Sequence, residues 1–117
     1  MFNADMLGWR LPGTVLTLGM KDRFVADWLL AIANGITEMY VPGIKVGVSS
    51  SCCSDHQACI ENGFPAIGYF ENEGGASDYP HYHQSTDLPE YVDMDNVHLC
   101  SKAVLAALMT FAVPVQA

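Results

Sequence analysis

Apolar and polar positions fall into short blocks along the chain, and the period changes from block to block. Residues 2–7 and 14–20 carry β-branched and apolar side chains on either side of the breaker Leu11-Pro12-Gly13, which predicts two strands with a turn between them. From Asp22, read as an N-cap, the apolar residues Val25, Trp28, Leu29, Ile32, Ile36 and Met39 recur at three- and four-residue steps until Pro42-Gly43. That spacing predicts a helix with one inward stripe. The β-branched run 44–49 predicts a strand buried on both faces. Ser54-Asp55-His56-Gln57 has the form of a capping box opening a second helix, which Asn62-Gly63 stops in a left-handed turn. Residues 65–70 read as another strand, with Pro65 first, where no ladder donor is needed. A long stretch, 71–90, has no period. From Asp93 or Asp95 to about residue 112, Val97, Cys100, Val104, Leu108 and Phe111 mark a last helix with one face on the sheet.

Strands alternating with helices predict an α/β fold, a mostly parallel sheet with helices on both faces. In such folds ligands sit beyond the carboxyl ends of the strands. Ser54-Asp55-His56 and the 71–90 segment both follow predicted strands, so the two are expected to meet at that edge. At 117 residues the chain has room for one domain, and with 50% hydrophobic residues it can offset the entropy of ordering. Thirteen acidic against five basic side chains, with no Lys/Arg cluster, argue against nucleic acid or anionic lipid as a partner and favour a cationic ligand or metal ion. The longest apolar stretch, 104–115, is shorter than the roughly 20 residues a bilayer span takes. The first six residues have no basic lead and no cleavage site and read as the inside of a strand, so Met1 is expected to lie within a longer protein. Cys52, Cys53, Cys59 and Cys100 show no zinc spacing; Cys59 and Cys100 fall on apolar helix positions and are expected to be buried, while the state of Cys52 and Cys53 is left open.

The densest chemistry lies in Asp78-Tyr79-Pro80-His81-Tyr82-His83-Gln84-Ser85-Thr86-Asp87. Imidazole and carboxylate are ligands that zinc and its neighbours accept, and a phenol beside them can donate to an oxyanion. An ordinary polar surface loop has the same composition. His81 and His83 lie two apart and compete for the same side of an extended segment.

Four pieces in order, Asp5-Met6 at a strand end, Ser54-Asp55-His56, Asn62-Gly63-Phe64-Pro65-Ala66, and Tyr82-His83-Gln84-Ser85-Thr86-Asp87, resemble the C-terminal half of a zinc-dependent M28 peptidase. The resemblance implies a zinc-exopeptidase fold incomplete at its N-terminal side, with residues 1–117 as the C-terminal part of one domain. In that family two zinc ions are held by two histidines, two aspartates and a glutamate, with a second glutamate as general base. Carried over by position, Asp5 matches the terminal aspartate ligand of one zinc and His83, in His-x-x-x-Asp, the histidine ligand of the other. Tyr82 matches the tyrosine that in some members donates to the tetrahedral intermediate. Ser54, Asp55, His56 and Asp87 would fix the ligands, and Met6, Cys53, Phe70 and Tyr79 would contact the substrate. The family's His-x-Asp motif and Glu-Glu pair occur nowhere in the chain, so the missing N-terminal part of the domain is the expected partner. Alone, the chain is expected to be inactive. The resemblance implies a peptide substrate with an apolar N-terminal residue and a secreted or luminal setting. The same fold also serves single-zinc glutaminyl-cyclase-like enzymes and non-catalytic ectodomains.

Overall fold

The computed structural model describes residues 1–20, 25–49, 54–73 and 78–113. Each predicted strand is present but shortened: β1 (Phe2–Ala4), β2 (Thr17–Gly19), β3 (Lys45–Gly47) and β4 (Ile67–Tyr69). The helices are α1 (Asp27–Tyr40), α2 (Asp55–Glu61) and α3 (Met94–Ala112). Strand β1 runs parallel to β4, with Phe2 opposite Ile67, and β2 runs parallel to β3. The two pairs join where Gly19 and Phe70 exchange backbone hydrogen bonds of 2.8 Å in each direction, an antiparallel bridge that sets the order β1-β4-β2-β3. Parallel pairing therefore holds within each pair and gives way at the junction.

The strand β4 has different neighbours on its two faces. Ile67 and Tyr69 join Leu18, Met20 and the inward residues of α1 and α3 in one core. Gly68 and Phe70 point the other way, toward His56 of α2. Helices thus cover both faces, as the alternating pattern predicted.

The helix faces differ from the predicted stripes. Helix α1 buries Leu29, Ala33, Ile36 and Thr37, whereas Trp28, Ile32 and Met39 are exposed on a second apolar face. Helix α3 buries Asn96, Cys100, Ala103 and Ala107; Val97 and Val104 are half-buried, Leu108 faces solvent, and the exposed Phe111 packs its ring on that of Phe2. Small residues win the inner positions because α1 and α3 pack against each other, and Ala33, Ala103 and Ala107 let the two backbones come close. Asp22 lies outside the described residues, and Ala26 occupies the N-cap of α1. Asp93, the earlier of the two expected starts of the last helix, caps α3, its carboxylate accepting from the amides of Asp95 and Asn96 at 3.0 and 3.1 Å.

The capping box at Ser54 does not form. Ser54 is the N-cap residue of α2, but its hydroxyl makes no cap bond, and Gln57 donates to Glu61 at 2.6 Å. The left-handed stop does form, at Gly63 with φ 83°. Cys100 is buried as expected, whereas Cys59 is half-buried with its thiol 3.2 Å from the Met1 sulfur. No helix among the described residues is long and apolar enough to cross a membrane.

Gly68 is where α2 comes closest to the sheet. A Cβ there would sit 2.7 Å from the Phe70 ring and 2.9 Å from the His56 ring, both buried. Gly68→Ala is expected to cost about 1–3 kcal/mol through overpacking. Urea unfolding measures this, and an unchanged midpoint would show that α2 is looser than its geometry implies.

Candidate metal and substrate site

Because β1 and β4 are parallel, their carboxyl ends lie together, and the chain continues from them as Asp5-Met6 and Phe70-Glu71. The ladder extends one step past the strands: the Asp5 amide donates to Tyr69 O at 3.0 Å, and the Glu71 amide to Met6 O at 3.1 Å. Beyond this edge lies a cavity of about 480 Å³. Asp5 and Met6 line it from β1, Ser54 and Asp55 from the start of α2, and Tyr79, Tyr82, His83 and Asp87 from the segment that follows β4.

Ser54 explains its own failure to cap. Its hydroxyl accepts from Asn3 Nδ2 at 2.6 Å and donates to Asp5 Oδ2 at 2.7 Å. The side chain that would have closed the helix instead fixes one carboxylate oxygen of Asp5. A carboxylate held in this way presents its other oxygen in a defined direction.

The segment 79–91 folds as consecutive tight turns, with amide-to-carbonyl bonds from Tyr82 to Tyr79, Gln84 to His81, Asp87 to Gln84 and Tyr91 to Leu88. These turns separate the two competing histidines. His81 lies within 2.9 Å of Thr86 Oγ1 and stacks on Tyr91 at 4.3 Å, behind the lining residues, whereas His83 itself lines the cavity beside Tyr82. His83 has φ 55°, as does Met6, and these are the only non-glycine residues with positive φ among those described. A left-handed conformation costs an ordinary residue about 1–2 kcal/mol. Both instances line one cavity, the usual place for strain that the surrounding structure enforces.

Two expected site residues do not line the cavity, although only Phe70 was expected to do so. His56 is fully buried, with its ring edge-on to Phe70 at 5.9 Å, and Phe70 is itself a core residue; neither lines the cavity. The alternation of β4 turns Phe70 toward α2, so a substrate-contact role for Phe70 does not fit its position. Cys53 lies outside the described residues.

The structure also adds groups that the sequence reading passed over: Glu71, Trp9, Tyr91 and Val92. Glu71 is buried and accepts a hydrogen bond from the Trp9 amide. Burial raises its carboxyl to about 7; the amides of Trp9 and Gly8 pull it down, and Asp5 and Asp87 push it up. A lone acid directly after the apolar run Ala66–Phe70 was the available signal. With Asp5, Asp55, Glu71 and Asp87 on its walls, the cavity favours a cation.

Zinc chemistry fits these donors in kind, since one carboxylate oriented by a hydroxyl and one imidazole face the same cavity. It does not fit in number, because no group of three or more His, Cys, Asp or Glu side chains able to hold a metal occurs among the described residues.

Residues 1–108 match peptidase family M28. The chain is similar to leucine aminopeptidase 1 of Trichophyton equinum, with 26% identity over 96% of this chain and 31% of that protein. It is also similar to a probable leucine aminopeptidase of Arthroderma benhamiae, with 32% identity over 90% of this chain and 28% of that protein. Among solved structures, the LapA aminopeptidase of Legionella pneumophila superposes with a TM-score of 0.86 at 22% identity, over 98% of this chain and 30% of its own. BSAP, a zinc aminopeptidase from Bacillus subtilis, gives 0.70 at 18%, over 94% and 27%. The chain therefore spans about a third of the length of the relatives it matches.

The Tyr79 hydroxyl donates to Asp87 Oδ1 at 2.6 Å, tying the two ends of the turn segment together around His83. The bond to Asp87, then burial and the Asp87 charge, hold the Tyr79 phenol up at about 12. Asp87→Asn removes the charged acceptor that favours the neutral phenol, so Tyr79 is expected to titrate closer to 10. Difference absorbance near 295 nm reads this directly, and an unmoved midpoint would rule out Asp87 as the cause.

Proposed function

The chain belongs to peptidase family M28, and from that premise we propose that it forms the C-terminal part of a zinc exopeptidase domain, an aminopeptidase acting on peptides with an apolar N-terminal residue. One observation carries the reading: Asp5 and His83, far apart in sequence, face one cavity together with Tyr82 at the carboxyl edge of the sheet. Asp5 would hold one of two zinc ions and His83 the other. When bound, such ions polarise the scissile carbonyl and acidify the attacking water.

The chain's own residues account for the rest. Ser54 keeps Asp5 Oδ2 turned to one side. The Tyr82 phenol, exposed at the cavity, would donate to the oxyanion that develops on the scissile carbonyl. Met6, Trp9 and Tyr79 supply apolar and aromatic surface suited to a hydrophobic side chain, and Trp9 and Tyr79 pack at 5.3 Å between ring centres. The acidic wall suits the free ammonium group of a peptide N-terminus.

The remaining ligands and the general base would come from the part of the domain that precedes residue 1. Two features support a further layer of protein: β1 pairs on one side only among the described residues, and α1 exposes Trp28, Ile32 and Met39. The isolated chain, lacking those donors, would be inactive.

In the full-length protein, His83→Ala is expected to lower chelator-sensitive hydrolysis of aminoacyl-amides by more than about a hundredfold, beyond the usual loss for a residue that only supports a ligand. Unchanged hydrolysis would remove His83 from the site. For residues 1–117 alone, calorimetric titration is expected to show no tight binding of zinc, and two tight stoichiometric ions would contradict the incomplete site.

A further inference from the structure

Residues Met6 to Trp9 make the corner that carries the chain away from Asp5, and the corner begins with a left-handed methionine. Such a conformation persists only where neighbours enforce it. Three residues bond to the backbone of this corner, beside the side-chain packing of Val92, Val97 and Tyr79. The Asn96 side chain donates to Leu7 O at 2.9 Å and Trp9 O at 3.3 Å, and the Asp93 amide donates to Gly8 O at 2.7 Å. These partners take up carbonyls. The Met6 carbonyl accepts from the Glu71 amide, and the Trp9 amide donates to the Glu71 carboxyl. Among the described residues, Glu71 thus grips both ends of the corner, once through its backbone and once through its side chain. A buried carboxyl is a costly way to hold an amide unless the position matters. Asp5 immediately precedes this corner, and its carboxylate is oriented from the far side by Ser54.

We propose that Glu71 is a positioning residue: it pins the Met6–Trp9 corner through the Trp9 amide and so fixes the direction in which Asp5 presents its carboxylate to the cavity. The proposal rests on Asp5 being a zinc ligand; the pin itself does not. The titratable groups near Glu71 include Asp5, Asp87, Tyr79 and Cys100; the Tyr79 hydroxyl is spent on Asp87, and the amide of Trp9 donates to the Glu71 carboxyl. An amide needs only an acceptor oxygen, which a neutral carboxyl or a carboxamide supplies as well as a carboxylate does. Glutamine should therefore replace Glu71, and leucine should not.

The test uses the full-length protein with Glu71→Gln and Glu71→Leu. Hydrogen exchange at the Trp9 amide, zinc affinity by chelator competition, and kcat and KM are measured alongside the melting temperature. Glu71→Gln is expected to keep Trp9 protected and zinc affinity within about threefold of the parent. Glu71→Leu is expected to lose at least about tenfold in Trp9 protection and tenfold to a hundredfold in zinc affinity and kcat, with KM little changed, the range typical of removing support behind a metal ligand. Wild-type zinc affinity in Glu71→Leu overturns the proposal, as does an equal loss in both variants. If Glu71→Leu does not fold, Glu71→Asp, shorter by one methylene, takes its place, and parity with the parent in Trp9 protection overturns the pin. A Trp9 amide that exchanges freely in the unmodified protein overturns it outright. A parent that binds no zinc but protects Trp9 in the expected order would instead refute the peptidase reading and leave the pin standing.

Discussion

The structure hangs on β4. It pairs in parallel with β1, bridges to Gly19 of β2 at its far end, and is buried on both faces, by α1 and α3 on one and α2 on the other. Without solvent on either side, its backbone groups must be satisfied by strands alone, which fixes the register. That register sets the site. It brings Asp5 level with the end of β4 and extends the ladder through Glu71 and Met6, and residues of the 79–91 turns line the cavity at that edge together with the start of α2. Three amino-acid choices keep this possible: Gly68 under the rings of Phe70 and His56, and Ala103 and Ala107 under α1.

The order and type of the elements were legible in the sequence because period and turn chemistry are local signals. Their packing was less so. Trp28, Ile32 and Met39 obey the helical period as well as Leu29, Ala33 and Ile36 do, and nothing in one helix says which of two apolar faces meets its neighbour. In α3 the smaller side chains lie inside, a choice made by the distance between two helices rather than by hydrophobicity. The capping box at Ser54 was misread for an instructive reason. Its hydroxyl can serve the helix or Asp5, and the nearer carboxylate takes it. Where a strong local signal is overruled in this way, the overruling contact tends to belong to function.

The site itself was legible in part. Asp5, His83 and Tyr82 could be placed through resemblance, and the turns that set His83 on the cavity and His81 against Tyr91 and Thr86 are consistent with that choice. Glu71 could not, because its importance lies in a backbone amide more than sixty residues away, a relation that no spacing rule contains. Phe70 was misplaced for the complementary reason: proximity in sequence to the site said nothing about which face of β4 it would take.

The pairing of Phe2 with Ile67 also has a temporal side. Strand β1 leaves the ribosome long before β4, and parallel pairing across such a separation closes a large loop before any contact repays it, which makes it a late event in folding. Until then Asp5 has neither its Tyr69 ladder bond nor its Ser54 partner. The acidic edge is therefore completed only once β4 and the start of α2 have been made, and during synthesis the chain carries a strand end whose carboxylate has no fixed direction.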